Sequence, residues 1–155
     1  MNVSVKVEGL ARLQALAEQY PSVSETHINA AITKALTRIF GAEKSEAPFG
    51  VSGLLRDNWR ITPGRFTGTL ESLTPYAAAV HEGTAPHMPP IDAITPWANK
   101  KGINPWAVAM SIKKKGTKAN PFLQRAVDES ATGIESDFED ALTATLAELT
   151  ALPDV

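Results

Sequence analysis

Two long amphipathic stripes constrain what this chain can fold into. Ile28, Ala31, Ile32, Ala35, Leu36, Ile39 and Phe40 fall at the i, i+3, i+4 spacing that puts them on one side of a helix. Ile134, Phe138, Ala141, Leu142, Leu146 and Leu149 repeat that spacing near the other end. Neither stripe can be left in water, so each helix needs another layer to pack against. Thr145 interrupts the second stripe, but its methyl can pack while its hydroxyl bonds a carbonyl one turn back. Ser24 is placed to cap the first helix. Asn120-Pro121 reads as an N-cap followed by a first helical residue. Gly133 costs about 1 kcal/mol relative to alanine and marks a bend. His27 falls in the first turn of its helix, where a cation is disfavoured, and is assigned no role.

The intervening sequence alternates between strand-like and helical spacing. Val3, Val5 and Val7 alternate with polar residues as a half-buried strand, ended by Gly9. Leu10, Leu13, Leu16, Ala17 and Tyr20 follow at helical spacing, and Pro21 is read as the stop. After Pro48, Gly50 and Gly53 come three strand-like runs, near Leu55–Thr62, Arg65–Ser72 and Tyr76–Glu82. Pro63-Gly64 is a turn signal between the first two, and the short connections favour an antiparallel meander. Pro86 to Pro90 reads as a stiff, extended arm. Two short helices are expected from near Pro96 and Pro105, each ending in lysines and a glycine. The predicted fold is α+β. A small antiparallel sheet of about four strands packs against long N-terminal and C-terminal helices in one domain over 1–155, with a helical insertion at 91–118.

Charge is unevenly placed. The 155 residues carry a formal net charge of only −2, so no global field recruits nucleic acid or an anionic membrane. Yet six lysines and no acid lie between Lys100 and Lys118, and eight acids and no base between Ala126 and Val155. That polarity suits head-to-tail contact between copies. Cysteine is absent, which removes disulfides and thiolate metal sites. No window approaches a membrane span, and the first residues lack the apolar run of a signal peptide, so manufacture and use in cytoplasm are expected.

Catalytic patterns are lacking. His81-Glu82 is followed by Gly83-Thr84-Ala85-Pro86, which is not HExxH, and His87 adds no recognised ligand spacing. No phosphate loop or nucleophile elbow occurs. No cofactor and no enzymatic activity are expected. Lys100, Lys101, Lys113, Lys114, Lys115 and Lys118 flank Trp97 and Trp106. That basic, aromatic cluster makes a DNA-binding accessory protein the alternative reading.

Three segments together carry a resemblance. "SEAPFGVSGLLRDNW" resembles an Ala-Pro-x-x-Thr-Gly-x-Leu-Arg-x-Ser block of a tailed-phage protein family, with Ser52 where threonine is usual. "PYAAAVHEGTAPH" resembles its Tyr-Ala-x-x-Val-Glu-x-Gly-Thr block, with His81-Glu82 as the departure. "KGTKANPFLQRAVDE" resembles its closing Pro-Phe-Leu-x-x-Ala block. The family is the neck or tail-completion group, the minor tail component family of the HK-type lambdoid phages. The three blocks stand in the family's order, after an amphipathic helix, and cover roughly Val3 to Glu129. The resemblance implies a non-enzymatic virion subunit that forms a ring, hexameric or dodecameric, at the head-to-tail junction. There it would meet connector or head-closure proteins and tail-terminator or tail-tube proteins, with genome DNA nearby. The matched letters Pro48, Ser52, Gly53, Leu55, Arg56, Tyr76, Gly83, Thr84, Pro121, Phe122 and Leu123 are expected to set the fold. Contact residues are expected at His81, Glu82, His87, Met88, Trp97, Lys113, Lys114 and Lys115.

Overall fold

The computed structural model describes residues 15 and 18–151. Among these, six helices and two strands follow one another: α1 (Pro21–Glu46), α2 (Leu54–Asp57), β1 (Trp59–Gly64), β2 (Thr67–Ser72), α3 (Ala77–Glu82), α4 (Ile91–Lys100), α5 (Pro105–Lys115) and α6 (Phe122–Thr150). No helix among the described residues is long and apolar enough to cross a membrane.

The two predicted stripes meet each other. Ile28, Ala31, Ala35 and Ile39 of α1 are buried against Leu123, Val127, Ile134, Phe138 and Ala141 of α6. Fully burying a Leu, Ile, Val or Phe side chain is worth about 1.5–3 kcal/mol, and the alanines between them let the helices approach, which makes this seam the main source of stability. Three polar side-chain pairs tie its length: the His27 Nε2–Glu148 hydrogen bond (2.7 Å) and the ion pairs of Arg38 with Asp137 (3.1 Å) and Arg125 with Glu46. Their order runs up one helix and down the other, so the pair is antiparallel. Thr145 is fully buried and its hydroxyl donates to the Ala141 carbonyl at 2.7 Å, as its place in the stripe required.

The Arg38 pair differs from its neighbours because Asp137 is buried. Arg38 Nε and Nη2 reach its carboxylate at 3.1–3.2 Å by crossing Gly133, where a Cβ would lie 2.6 Å from Nε. Gly133 sits inside an unbroken helix. Its role is to let the guanidinium pass.

The sheet is smaller than predicted. The described residues are 66% helix and 10% strand, with one antiparallel hairpin, which overturns the four-stranded α+β expectation. β1 pairs with β2 from Trp59↔Ser72 to Gly64↔Thr67, and the turn is made by Arg65 and Phe66. Pro63-Gly64 therefore ends β1 and does not form the turn. Phe66 adopts φ 55° and donates its N–H to Asn29 Oδ1 (2.8 Å), fixing the hairpin on α1. Gly68 allows close approach: a Cβ there would lie 2.6–2.7 Å from Leu36 and Ile32.

The third strand-like run is the helix α3. Ala77-Ala78-Ala79 has high helix propensity and weak strand propensity, and the short apolar parity in this run mimicked a strand. Leu55 belongs to the one-turn helix α2, and strand begins only at Trp59. The strand at Val3–Val7 and most of the helix from Leu10 lie outside the described residues.

Helix starts also shift. The preceding helical turn ends at Tyr20, as Pro21 implies, but Pro21 itself opens α1, and Ser24, expected as the cap, lies inside the helix, its hydroxyl donating to the Tyr20 carbonyl (2.6 Å). Proline suits a first turn because that N–H has no helical partner. α4 begins at Ile91, leaving Pro96 inside it. α6 begins at Phe122. Asn120 Oδ1 accepts from Arg125 Nη2 (2.9 Å) and makes no cap.

One buried acid has no hydrogen-bond partner. Glu43 is fully buried near the end of α1, and both carboxylate oxygens lack a partner among the described residues. Burial pushes its carboxyl up to about 7. The Trp59 indole N–H, which donates to the Leu55 carbonyl at 2.7 Å, and the Arg56 and Lys44 charges oppose that rise without reversing it.

These buried charges set how stability responds to pH and to truncation. Because the Glu43 carboxyl is raised in the fold, its contribution is fully present below pH 4.5 and is lost as pH rises through about 7. Glu43→Gln should match the parent at pH 4 and exceed it by as much as ~3 kcal/mol at pH 8 in denaturant melts. Equal stability of the two at pH 8 would contradict this placement. Arg38→Ala strands a buried carboxylate and should cost about 2–3 kcal/mol, against under about 1 kcal/mol for His27→Ala at the exposed pair.

Candidate functional site

The chain between α3 and α6 leaves the helical pair and returns to the same point. Thr84 and Thr117 form an isolated antiparallel bridge, exchanging backbone N–H···O bonds of 3.2 and 3.1 Å, with their hydroxyls 3.0 Å apart. Two glycines make that crossing possible. Gly83 (φ 75°) would place a Cβ 2.6 Å from the Thr117 carbonyl oxygen. Gly116 (φ 71°) would place one 1.9 Å from that of Thr84. Residues 85–116 are therefore a closed excursion with a fixed neck.

Within it α4 and α5 pack on each other, with Ala98 and Ala109 completely buried. Asn104 caps α5, its Oδ1 accepting from Trp106 N–H at 2.9 Å, and Pro105 fills the first helical position. α4 ends as Gly102 turns at φ 67° and Ile103 N–H returns to the Ala98 carbonyl. Lys100 pins this pair to the body. Its Nζ donates to the Gly50 and Val51 carbonyls (3.1 and 3.4 Å) and lies 5.1 Å from the Phe49 ring centroid.

The outer surface of the excursion is apolar at one end and basic at the other. On α5 the buried side is Val108, Ala109 and Ile112. Opposite lie Trp106, 60% exposed, then Met110 and Lys114 at successive four-residue steps, with Lys113 beside them. Met88, Trp97 and Ile103 are also exposed. Lys113, Lys114 and Lys115 make no ion pair among the described residues.

The expected contact residues are divided between two places. Met88, Trp97, Lys113, Lys114 and Lys115 all belong to the excursion and are exposed. His87 is exposed too, its Nδ1 2.9 Å from the Ala85 carbonyl. Glu82 is exposed at the end of α3, while His81 turns inward. The His81 ring meets Phe122 edge to face at 5.3 Å, and its Nδ1 is buried without a hydrogen-bond partner among the described residues. Burial holds the imidazole below its usual range, with Glu82 raising it and Arg125 lowering it further. No group of three His, Asp or Glu residues gathers to hold a metal among the described residues.

The motif letters set shape around the neck and the α1–α2 turn. Gly53, at φ 75°, precedes α2 and donates its N–H to the Phe49 carbonyl (3.0 Å). Ser52 Oγ accepts a long bond from Leu54 N–H (3.5 Å), and Pro48 is half-buried. Leu55 is buried, and Arg56 Nε donates to the Ala47 carbonyl at 2.7 Å. Tyr76 opens α3 with its ring exposed, and Asn120 N–H returns to the Val80 and His81 carbonyls (3.1 Å each). Pro121 leads into Phe122 and Leu123, both in the core.

Further exposed apolar groups stand outside the expected contact set. Trp106 and Met110 lie one helical turn apart on α5, a spacing that is legible in the sequence. Phe49 and Leu54, 54% and 52% exposed, flank the α1–α2 turn. A four-residue helix can bury only one of two adjacent leucines, so Leu54 must face out once Leu55 faces in.

The neck geometry gives a direct test. Gly116→Ala forces a clash with Thr84 and a strained φ. Amide exchange across α4 and α5 should quicken at least tenfold while the α1–α6 seam stays protected. Uniform loosening of both regions would show that the excursion is not a separate unit.

No family model matches this chain, and neither does any curated protein or solved structure.

Proposed function

We propose that this chain is a structural subunit of the head-to-tail junction of a tailed phage. In this reading it is a neck or tail-completion protein that assembles as an oligomeric ring between connector and tail. The observation that carries the reading is the 85–116 excursion, anchored at its neck and showing Trp106, Met110 and Lys114 on its outer face. Large exposed apolar side chains grouped on one element are a feature of contact surfaces. The three resembling segments add support, since they supply the α1–α2 turn, the α3–neck joint and the start of α6. These are shape-setting positions suited to a building block.

The ring is expected to be hexameric or dodecameric. Its partners would be connector or head-closure proteins on one side and tail-terminator or tail-tube proteins on the other. Its places would be the virion and, during assembly, the host cytoplasm. No catalytic step, metal or cofactor enters this function.

A phage lacking this chain should accumulate DNA-filled heads and unattached tails in electron micrographs, with infectivity restored when the chain is supplied in trans. Complete, infectious particles formed without it would overturn the proposal. The exposed Lys113–Lys115 cluster favours one second reading, a DNA-binding accessory protein. That reading predicts duplex affinity falling steeply between about 50 and 200 mM salt, and normal heads and tails in its absence.

A further inference from the structure

Two helices each gather exposed charge of one sign that has no ion-pair partner among the described residues. On α5, Lys113 and Lys114 have no acidic partner among the described residues. On α6, Glu135 and Glu139 are exposed and likewise unpaired, while Asp137 and Glu148 are taken by Arg38 and His27. The lysines complement the C-terminal end of the α5 dipole, but Glu135 and Glu139 sit mid-helix, where a dipole offers nothing. Both helices also carry exposed apolar side chains in line with their charges: Trp106 and Met110 on α5, Leu146 on α6.

The order of these features is opposite in sequence. Apolar residues precede charge along α5, and charge precedes the apolar residue along α6. An antiparallel pairing therefore sets Trp106 beside Leu146 and Lys114 beside Glu139. The spacings agree: Trp106 to Lys114 is about 12 Å along its axis, and Glu139 to Leu146 about 10.5 Å. A chain does not offer its own α5 to this stripe. The neck fixes the end of α5 next to the start of α6, and Glu139 lies about 26 Å further along that helix.

We propose that the outer face of α5, formed by Trp106, Met110 and Lys114, packs antiparallel on the Glu135, Glu139 and Leu146 face of α6 in a second copy of this chain. This inference deepens the assembly reading and rests on it. The contact is heterologous, with different surfaces on the two copies, so repeating it generates a closed ring or an open filament. The opposed charges steer the approach and fix the direction, and the apolar pair supplies the desolvated centre.

The absence of cysteine in the sequence allows a clean test. Ser111→Cys and Thr143→Cys are made in separate full-length proteins, mixed, and treated with a short bis-maleimide at concentrations up to about 100 μM. Both positions are exposed and lie beside the proposed stripes without belonging to them. The mixture should give a crosslinked dimer that neither protein forms as readily alone. K113E/K114E in the first protein should reduce the yield at least tenfold. E135K/E139K in the second should do the same, and combining the two should restore it. No crosslink across that concentration range, or a crosslink unaffected by either charge reversal, would overturn the proposal. Duplex DNA bound through Lys113 and Lys114 in place of the crosslink would overturn it equally. If the crosslink fails but micrographs still show rings, the contact assigned here is wrong and the junction reading stands. If the crosslink forms and virions assemble normally without the chain, the reverse holds.

Discussion

The packing of α1 against α6 is the constraint on which the rest of the structure depends. Its apolar seam supplies the free energy, while the three polar side-chain pairs contribute little where they are exposed and act chiefly on register. Arg38–Asp137 is the exception, because a buried carboxylate tolerates no shift away from its guanidinium. Sliding α6 by one turn would strand Asp137 and move Gly133 from beneath Arg38. The position of everything attached to these two helices follows from that register.

Both attachments depend on small backbone spaces. The β-hairpin sits on α1 because Gly68 leaves room for Ile32 and Leu36, and Asn29 holds the turn at Phe66. The helical excursion leaves beside Phe122 because Gly83 and Gly116 let two backbones cross at Thr84–Thr117. His81 links this neck to the seam through Phe122. Its ring belongs to the core edge, and the exposed candidate contact groups lie further out on α4 and α5. A rigid neck carrying a self-packed helical pair presents side chains away from the body, the form proposed here for assembly.

How much of this was legible in the sequence differs by element. The two long helices were readable because a 3.6-residue apolar period sustained over several turns is a pattern that strands and loops do not produce. The small helices α4 and α5 were announced by their prolines, lysines and glycines, although Pro96 misplaced the first start. The sheet was overread. Tyr76–Glu82 alternates in parity over a span too short to separate strand from helix, and the alanine run decided the matter. Glu43 could not be found from sequence at all, because its burial depends on residues brought to it from beyond the α1–α2 turn, Trp59 and Arg56 among them. Of the candidate contacts, the lysines were visible as a charge run. His81 is a titratable group in a conspicuous motif, but its ring is held against Phe122. Trp106 carried as clear a signal as Trp97 and is the more exposed of the two.

The central claim is that the α4–α5 excursion is the element through which copies of this chain meet. Hydrogen exchange followed by mass spectrometry over a range of protein concentrations tests it directly. The account predicts protection that grows with concentration in residues 105–115 and 135–146, with the β-hairpin unchanged. Concentration-dependent protection confined to other segments, or none at any concentration, would contradict it.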